Sequence, residues 1–327
     1  MSCRPPLTGE ISLNPRTLWH ILRIEGLIPF TGSAILIGFV VTLWEVGFAA
    51  TDWGLFVTAV LAAVLVHIDA HIWNDIMDLE IDRGEKSRET GRDRPLILEW
   101  ATVKNYRTMS AIITILVIVL AAYLTIYRVF IPLLFLLGFF FDYGYNHPRI
   151  ALGHQPFAEW YIFPWLVVGV TVTIVYAATN IFSLLAFILS LLQGMTVTCF
   201  GVSMMRRDVK SDRQGGKYTS SVQFPEVPHS TIYGTVTMLV SVLMIYPLSL
   251  ILGIELAYMI VLITAVIAMI NTVLGARIDQ LCTRAMYSIF PDFEAKANKL
   301  MLQQVGASMV HVVAITLILV SFSGRMV

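Results

Sequence analysis

Long apolar segments, separated alternately by short and long polar connections, dominate the pattern along this chain. A helix needs about 20 apolar residues to cross a hydrocarbon core. The pattern predicts nine membrane-spanning helices, at about residues 28–50, 53–73, 108–127, 129–142, 157–178, 182–203, 231–250, 254–274 and 306–323. The fourth segment is short for a full crossing, so we expect its helix to be tilted or to continue into Tyr143 and Tyr145.

The connections predict how these helices pair. Very short links join spans 1 and 2, 3 and 4, 5 and 6, and 7 and 8, whereas longer polar loops follow spans 2, 4, 6 and 8. This alternation is typical of antiparallel helical hairpins. We therefore expect an all-α, polytopic membrane protein in which residues 1–327 form a single transmembrane domain.

The composition agrees with a chain that is built for lipid. Hydrophobic residues make up 57% of the sequence and charged residues only 13%, whereas a soluble domain has about 25% charged residues. The formal net charge is zero, so the total gives no indication of nucleic acid. The partner that the composition predicts is the lipid bilayer.

Lysine and arginine are concentrated on one side of the predicted membrane. Of the 22 Lys and Arg residues, 20 fall in the N-terminal segment and the long loops, whereas Arg128 and Arg325 fall on the other side. Positive residues mark cytosolic connections in membrane proteins. We therefore expect residues 1–27 and all the long loops to be cytosolic.

Acidic side chains cluster at the end of the second span, where ionisable residues are costly and indicate function. Asp75, Asp78 and Asp82 are spaced i, i+3, i+7, and Asn74 precedes Asp78 by four. If the helix continues, these oxygens share one face. Grouped carboxylates repel one another unless a cation lies between them. Oxygen ligands favour Mg²⁺, which proteins often hold together with substrate phosphates.

The same cluster has a second interpretation, which one motif alone leaves open. A solvated helix end with ordinary ion pairs, such as Asp78 or Asp82 with Arg83 or Lys86, would need no ligand.

Three further polar residues lie inside the second span, at His67, Asp69 and His71. Two histidines four residues apart can bind zinc, but no Glu or Cys completes such a site here. We interpret these residues as packing or polar support for the helix face that carries Asp78.

A second acidic pair stands at the end of the sixth span, on the same predicted side. Asp208 and Asp212 are four residues apart, and Gly215 and Gly216 follow, which would end the helix and let the backbone approach a ligand. Lys217 stands just beyond. Two carboxylate pairs with nearby cations would hold a diphosphate through Mg²⁺, and the cations would stabilise it as a leaving group. An isoprenoid diphosphate would require a membrane enzyme, because its tail belongs in lipid.

On these motifs the chain resembles the UbiA superfamily of intramembrane prenyltransferases. The N-D-x-x-D-x-x-x-D pattern is matched at Asn74–Asp82 and the D-x-x-x-D pattern at Asp208–Asp212. Arg94-Pro95-Leu96 resembles the family's R-P-L, and Tyr145-Asn146-His147-Pro148-Arg149 resembles its Y-x-x-x-K, with arginine in place of lysine. The likeness includes the nine-span layout and extends over essentially the whole chain.

The resemblance implies roles for particular residues. Mg²⁺ would be organised around the diphosphate by Asn74, Asp78, Asp82, Asp208 and Asp212. The diphosphate or the reacting end of the substrate would be contacted by Arg94, Tyr145, Arg149 and Lys217. Asp75, Asp78, Asp212 and Tyr145 are the candidates for catalysis, with Asp75 acting as a base or as support for the ligands. Arg23 and Pro29 loosely match an arginine–proline pattern that lies beside the acceptor pocket in the family.

The implied reaction is the Mg²⁺-dependent ionisation of an allylic isoprenyl diphosphate and transfer of the prenyl group to a lipophilic, aromatic acceptor that resembles a quinone precursor. Aromatic faces near the predicted site would steady the cation. The candidates are Phe139, Phe140, Phe141, Tyr143, Tyr145, Trp160 and Tyr161, with lipid-facing positions as the alternative.

Two other functions remain open at this point. Some members of the superfamily are terpene cyclases, in which the cation attacks its own double bonds without an external acceptor. A transporter would also carry intramembrane carboxylates. Transport sites usually lie near the bilayer midplane, however, and these acids stand at helix ends.

Overall fold

Helices make up the fold. A computed structural model describes residues 21–79, 95–97, 101–147, 149–287 and 292–323, and these ranges contain no β-strand. Nine helices of at least 15 residues lie within them. They are Ser33–Ala50 (α1), Trp53–Met77 (α2), Val103–Tyr127 (α3), Ile131–Asn146 (α4), Ala158–Thr179 (α5), Leu184–Arg207 (α6), His229–Leu243 (α7), Ile254–Tyr287 (α8) and Phe293–Ser323 (α9). Shorter helical segments are Ile24–Leu27, the π-helical turn Ile28–Gly32, the 3₁₀ turn Leu152–His154, Val209–Gln214, Ser220–Gln223 and Ile245–Leu252.

Each predicted span corresponds to one of the nine long helices, but the count of nine crossings is not confirmed. In the described part of the chain, seven helices are long and apolar enough to cross a membrane. An eighth is added if α7 and Ile245–Leu252, which meet at a bend of 42°, form one span. The α4 helix is shorter than a full crossing. The protein is thus an integral, multi-pass membrane protein.

The helix ends facing away from the acidic motifs are joined tightly, as the sequence predicts. Asp52 lies between α1 and α2, and its carboxylate accepts the Leu55 N–H in the first turn of α2 (3.1 Å). Ser183 lies between α5 and α6 and accepts the Ala186 N–H in the same way (3.0 Å). These side chains satisfy amides that have no partner inside the helix.

The last two helices differ from the prediction. They extend well beyond the expected spans 254–274 and 306–323, so most of the expected polar loop between them is helical. The added residues are more polar than the apolar spans and include many good helix formers, such as Arg, Lys, Gln, Leu and Ala. Hydropathy marks where a helix leaves the apolar core and not where it ends.

The α6 helix forms the centre of the bundle. In an apolar 18-residue stretch of α6, 89% of the residues are buried inside the protein, compared with 17% in the corresponding stretch of the peripheral helix α3. The largest apolar cluster brings α6 together with α1, α8 and α9 through Leu189, Ile37, Ile260 and Ile315, all of which are fully buried. The α6 helix is therefore held by packing on several sides.

Buried polar side chains also join α6 to α8 and α9. His311 contacts Gln193 Oε1 through Nδ1 (2.6 Å) and Thr264 Oγ1 through Nε2 (2.8 Å). All three residues are fully buried. In an apolar interior such contacts are strongly favoured over unpaired polar groups.

The α7 and α8 helices approach each other closely at a glycine. A Cβ atom on Gly234 would lie 2.5 Å from Thr272 Oγ1 and 2.9 Å from Thr272 Cα. The small residue is therefore required for this crossing.

Candidate active site

The first acidic motif lies at the carboxyl end of α2. Asp75 and Asp78 are each only 6% exposed. The helix ends at Met77, and Asp78 caps it by donating its N–H to Asn74 O (2.9 Å). The Asn74 side-chain amide in turn donates to Asp78 Oδ2 (3.1 Å). The predicted i, i+4 relation between Asn74 and Asp78 therefore exists as a local contact.

The two acids of this motif have different partners. Asp75 forms an ion pair with Arg23 in the segment that precedes the π-helical turn. Asp78 contacts Lys217 and His154, which come from the other half of the site. The structure thus connects Asp75 with the N-terminal segment and Asp78 with the second motif.

The second acidic motif lies at the carboxyl end of α6. Asp208 caps α6, and both of its carboxylate oxygens accept hydrogen bonds from Arg207 (2.5 and 2.8 Å). Arg207 also donates to Asn298 on α9 (2.7 Å). Asp212 lies one turn further, in Val209–Gln214, and is 5% exposed.

Lys217 joins the two motifs. Its backbone N–H donates to the carbonyl oxygen of Asp212 (2.9 Å), and its ammonium group donates to Asp78 Oδ2 (2.7 Å). Gly216 precedes it with a φ of 76°, the left-handed conformation that lets the chain turn back after the short helix. Lys217 is therefore placed for a specific contact and is not one of many loop cations.

His154 completes the surroundings of Asp78. Its Nε2 atom lies 3.6 Å from Asp78 Oδ1, and its carbonyl oxygen accepts the N–H of Tyr218 (3.2 Å). Burial alone would raise the pKa of Asp78, but the contacts with His154 and Lys217 outweigh it and hold the pKa at about 2. Asp78 is therefore ionised at neutral pH.

Tyr145 lies on α4 within electrostatic reach of Asp78, Glu159 and Asp212. Its ring packs on Gly153, where a Cβ atom would lie 2.7 Å from Tyr145 Cζ. The tyrosine thus interacts electrostatically with one carboxylate of each acidic motif.

Arg149, the other residue of the tyrosine motif, is exposed on the loop after α4. Its backbone N–H donates to His147 Nδ1 (3.2 Å). Among the described residues, the structure shows no contact between its guanidinium group and either acidic motif.

Two predicted site residues, Asp82 and Arg94, lie outside the described residues. Within the ranges that the structure describes, no three His, Cys, Asp or Glu side chains come close enough together to hold a metal ion. Asp75, Asp78 and Asp208 each form an ion pair with a basic side chain. The oxygen donors of the two motifs are thus divided between the carboxyl ends of α2 and α6.

Two polar residues beside the site, His154 and Glu159, were not predicted from the sequence. Glu159 is 2% exposed and accepts a hydrogen bond from the Ser220 hydroxyl group, close after Lys217. Neither residue has a spacing that singles it out. The available signal was their position in or just after the loop that follows the tyrosine motif.

Most of the aromatic residues proposed to line the site face outward. Phe139, Phe140, Tyr143 and Tyr161 are large exposed hydrophobic side chains. They fit the lipid-facing alternative. Tyr145 is the member of that group that the structure places beside the acids.

The polar residues inside α2 support its packing. His67 Nδ1 contacts Thr31 Oγ1 (2.9 Å), and Asp69 accepts a hydrogen bond from Thr114 on α3 (3.0 Å). The rings of His67 and His71 meet edge to face with centroids 4.6 Å apart. These contacts agree with the interpretation as polar support.

Comparison with known proteins identifies the family. The sequence model of the UbiA prenyltransferase family matches residues 34–290. No curated protein sequence matches the chain significantly.

Solved structures share the fold at low identity. A UbiA homologue from Aeropyrum pernix K1 is 19% identical, with a TM-score of 0.55 over 88% of this chain and 98% of the homologue. A UbiA homologue from Archaeoglobus fulgidus, bound to GPP and Mg²⁺, is 14% identical, with a TM-score of 0.52 over 90% and 98% of the two chains. A structure reported for digeranylgeranylglyceryl phosphate synthase is 18% identical, with a TM-score of 0.55 over 92% and 98%. The resemblance inferred from the motifs is confirmed, and the chain belongs to the UbiA prenyltransferase family.

Proposed function

We propose that this protein is a Mg²⁺-dependent intramembrane prenyltransferase, which transfers the prenyl group of an allylic isoprenyl diphosphate to a lipophilic aromatic acceptor. The contact of Lys217 with Asp78 carries this proposal, because it brings the ends of α2 and α6 together around buried charges. An arrangement of carboxylates and cations at one place suits a highly charged ligand. The family match and the homologue bound to GPP and Mg²⁺ support the same substrate class.

The donors present fit magnesium. The proposed ligands, Asn74, Asp78, Asp82, Asp208 and Asp212, offer only oxygen atoms, which Mg²⁺ prefers. Asp78 and Asp212 are buried, and a cation bound there would offset the cost of burying their charge. When bound, the ion would neutralise charge on the diphosphate oxygens.

The cationic side chains bind and orient the diphosphate in this proposal. Lys217 already donates to Asp78 and would donate to a phosphate oxygen in the same region. Arg94 and Arg149 are proposed for the same group. Arg23, paired with Asp75, is proposed for the acceptor side.

The reaction is a substitution at the allylic carbon. The bond between that carbon and the diphosphate oxygen breaks, and its electron pair leaves with the diphosphate. The acceptor supplies the electron pair of the new carbon–carbon bond and then loses a proton. Tyr145 would stand at the reacting end, and Asp75 is the proposed base. The surrounding helices would keep water from the cation.

The active site is proposed to open toward the cytosol. The acidic motifs lie at the ends of α2 and α6 that lead into Lys- and Arg-rich connections. These connections mark the cytosolic face.

The decisive experiment omits the acceptor. Purified protein would be incubated with isoprenyl diphosphates and Mg²⁺, with and without a phenol or naphthoate, while diphosphate release and products are measured. We expect release and a prenylated product only when the acceptor is present. Cyclic hydrocarbons or alcohols formed without an acceptor would identify a terpene cyclase instead. Absence of Mg²⁺-dependent release under every condition would overturn the proposal.

A further inference from the structure

Phe163 occupies a central position in the bundle. It lies on α5, and its ring centroid is 5.9 Å from that of Tyr145 on α4 and 5.7 Å from that of Phe30 before α1. It also faces Gly201 on α6. The ring is partly exposed although three other parts of the bundle surround it. The ring thus contacts three other segments of the bundle while part of its surface stays uncovered.

Gly201 lies directly against this ring. A Cβ atom on Gly201 would lie 2.6 Å from Phe163 Cδ2, a distance that no real contact allows. The neighbouring backbone is fixed as well, because a Cβ atom on Gly194 would lie 2.8 Å from the carbonyl oxygen of Pro164. An added Cβ atom at Gly201 would therefore require the Phe163 ring to shift, and Tyr145 and Phe30 are the rings that it contacts.

The row of rings has one charged end and one apolar end. Tyr145 lies within electrostatic reach of Asp78 and Asp212. At the other end, Phe30 packs against an apolar cluster of small side chains, formed by Ala34, Val167 and Val197. A ligand with a charged head and a hydrocarbon tail would fit this row, with its head toward the Tyr145 end and its tail toward the Phe30 end.

We infer that Phe163 is a specificity-determining residue, against which the first isoprene units of the substrate lie as they leave the diphosphate site, and that Gly201 is its positioning residue. This inference rests on the proposed function. Aromatic faces attract a carbocation and also provide apolar contact for the chain. Displacing the ring would narrow the space for the isoprenoid chain beside it. The kcat/KM of long substrates would then fall more than that of short substrates.

The test is the chain-length profile of variants. The ratio of kcat/KM between the longest and the shortest isoprenyl diphosphate that the wild type accepts is measured for Gly201→Ala, Phe163→Leu and the double variant. Gly201→Ala is expected to lower this ratio about tenfold or more, the discrimination that a methylene-sized change produces in an apolar pocket. Phe163→Leu is expected to raise it, and the double variant to restore it.

Gly169→Ala is the matched control, because Gly169 also lies on α5 and a Cβ atom there would meet nothing within 4 Å. Its ratio should equal that of the wild type. Phe163→Trp enlarges the ring while Gly201 is unchanged, and it should also lower the ratio. This variant keeps the test valid if Gly201→Ala does not fold. A wild-type ratio in Phe163→Leu and Phe163→Trp would overturn the inference alone. A wild type that releases no diphosphate from any substrate would overturn the proposed function and the inference with it.

Discussion

At the scale of residues, Asp75, Asp78 and Asp208 of the two acidic motifs each have a basic partner, which is Arg23 for Asp75. Asp78 is paired with Lys217 and Asp208 with Arg207. Buried carboxylates without such partners would be strongly destabilising. The interpretation of the first motif as a solvated helix end is therefore excluded for Asp78, which is buried and bound by a residue from the second half of the chain.

Replacement of Asp78 tests the site directly. Asp78→Asn keeps the size of the side chain but removes its charge, so we expect diphosphate release to fall about 100-fold or more, as for loss of a key electrostatic group. Membrane insertion should be retained. Release would be followed with a diphosphate-coupled assay on protein purified in detergent.

Asp52→Asn provides the control at the opposite end of the same helix. Asp52 is 47% exposed, and asparagine caps a helix as well as aspartate does. This variant should keep wild-type activity. An active Asp78→Asn protein would remove Asp78 from the site.

For the candidate site, the sequence proposes residues where an acidic spacing coincides with a match to a family motif. Asn74, Asp78, Asp208 and Asp212 satisfied both. Lys217 was named, but charge counting alone could not separate it from other loop cations. His154 and Phe163 were not predictable, because their importance comes from contacts between helices and leaves no periodic signal in the sequence.

At the scale of helices, the site depends on how the ends of α2 and α6 are held. In their apolar 18-residue stretches, α6 has 89% of its residues buried, whereas α2 has only 28% buried. The α6 helix that leads into the second motif is thus held by packing on several sides. The first motif, at the end of α2, is held by the contacts that Asp75 and Asp78 make with Arg23, Lys217 and His154.

The close crossing of α7 and α8 gives a prediction about stability. Gly234→Val would place a branched side chain against Thr272, and overpacking of this kind costs about 1–3 kcal/mol. We expect a lower free energy of unfolding, measured by denaturation in detergent.

Gly306→Ala on α9 is the comparison for that variant. A Cβ atom on Gly306 would meet nothing within 4 Å, and alanine favours a helix over glycine by about 0.5–1 kcal/mol. This variant should be as stable as the wild type or more stable. Equal stability of Gly234→Val and the wild type would contradict the described crossing.

At the scale of the whole molecule, hydropathy predicted the arrangement of helices well. The all-α class and the short links around Asp52 and Ser183 are confirmed. The continuation of α8 and α9 beyond the apolar core was not predicted, because polarity says where a segment leaves lipid and helix propensity decides where it ends. The packing of α6 at the centre also requires coordinates, since an apolar helix can face protein or lipid.

The charge balance of the site predicts that folding does not require magnesium. Because Asp78 and Asp208 already have basic partners, removal of Mg²⁺ with a chelator should abolish diphosphate release but shift the thermal midpoint by less than about 3 °C, equivalent to about 1 kcal/mol. Proteins whose structural metal holds the fold together behave in the opposite way. A large loss of stability on chelation would show that the basic partners are not sufficient.

The contact between Lys217 and Asp78 also sets an order of events during biosynthesis. The two residues are 139 positions apart, and at about 5–20 residues per second roughly 7 to 28 s pass between their syntheses. The end of α2 therefore reaches the membrane boundary long before Lys217 exists. A ribosome-bound fragment that ends before Lys217 carries Asp78 without this partner, so the first half of the site must wait, hydrated or protonated, until the second half arrives.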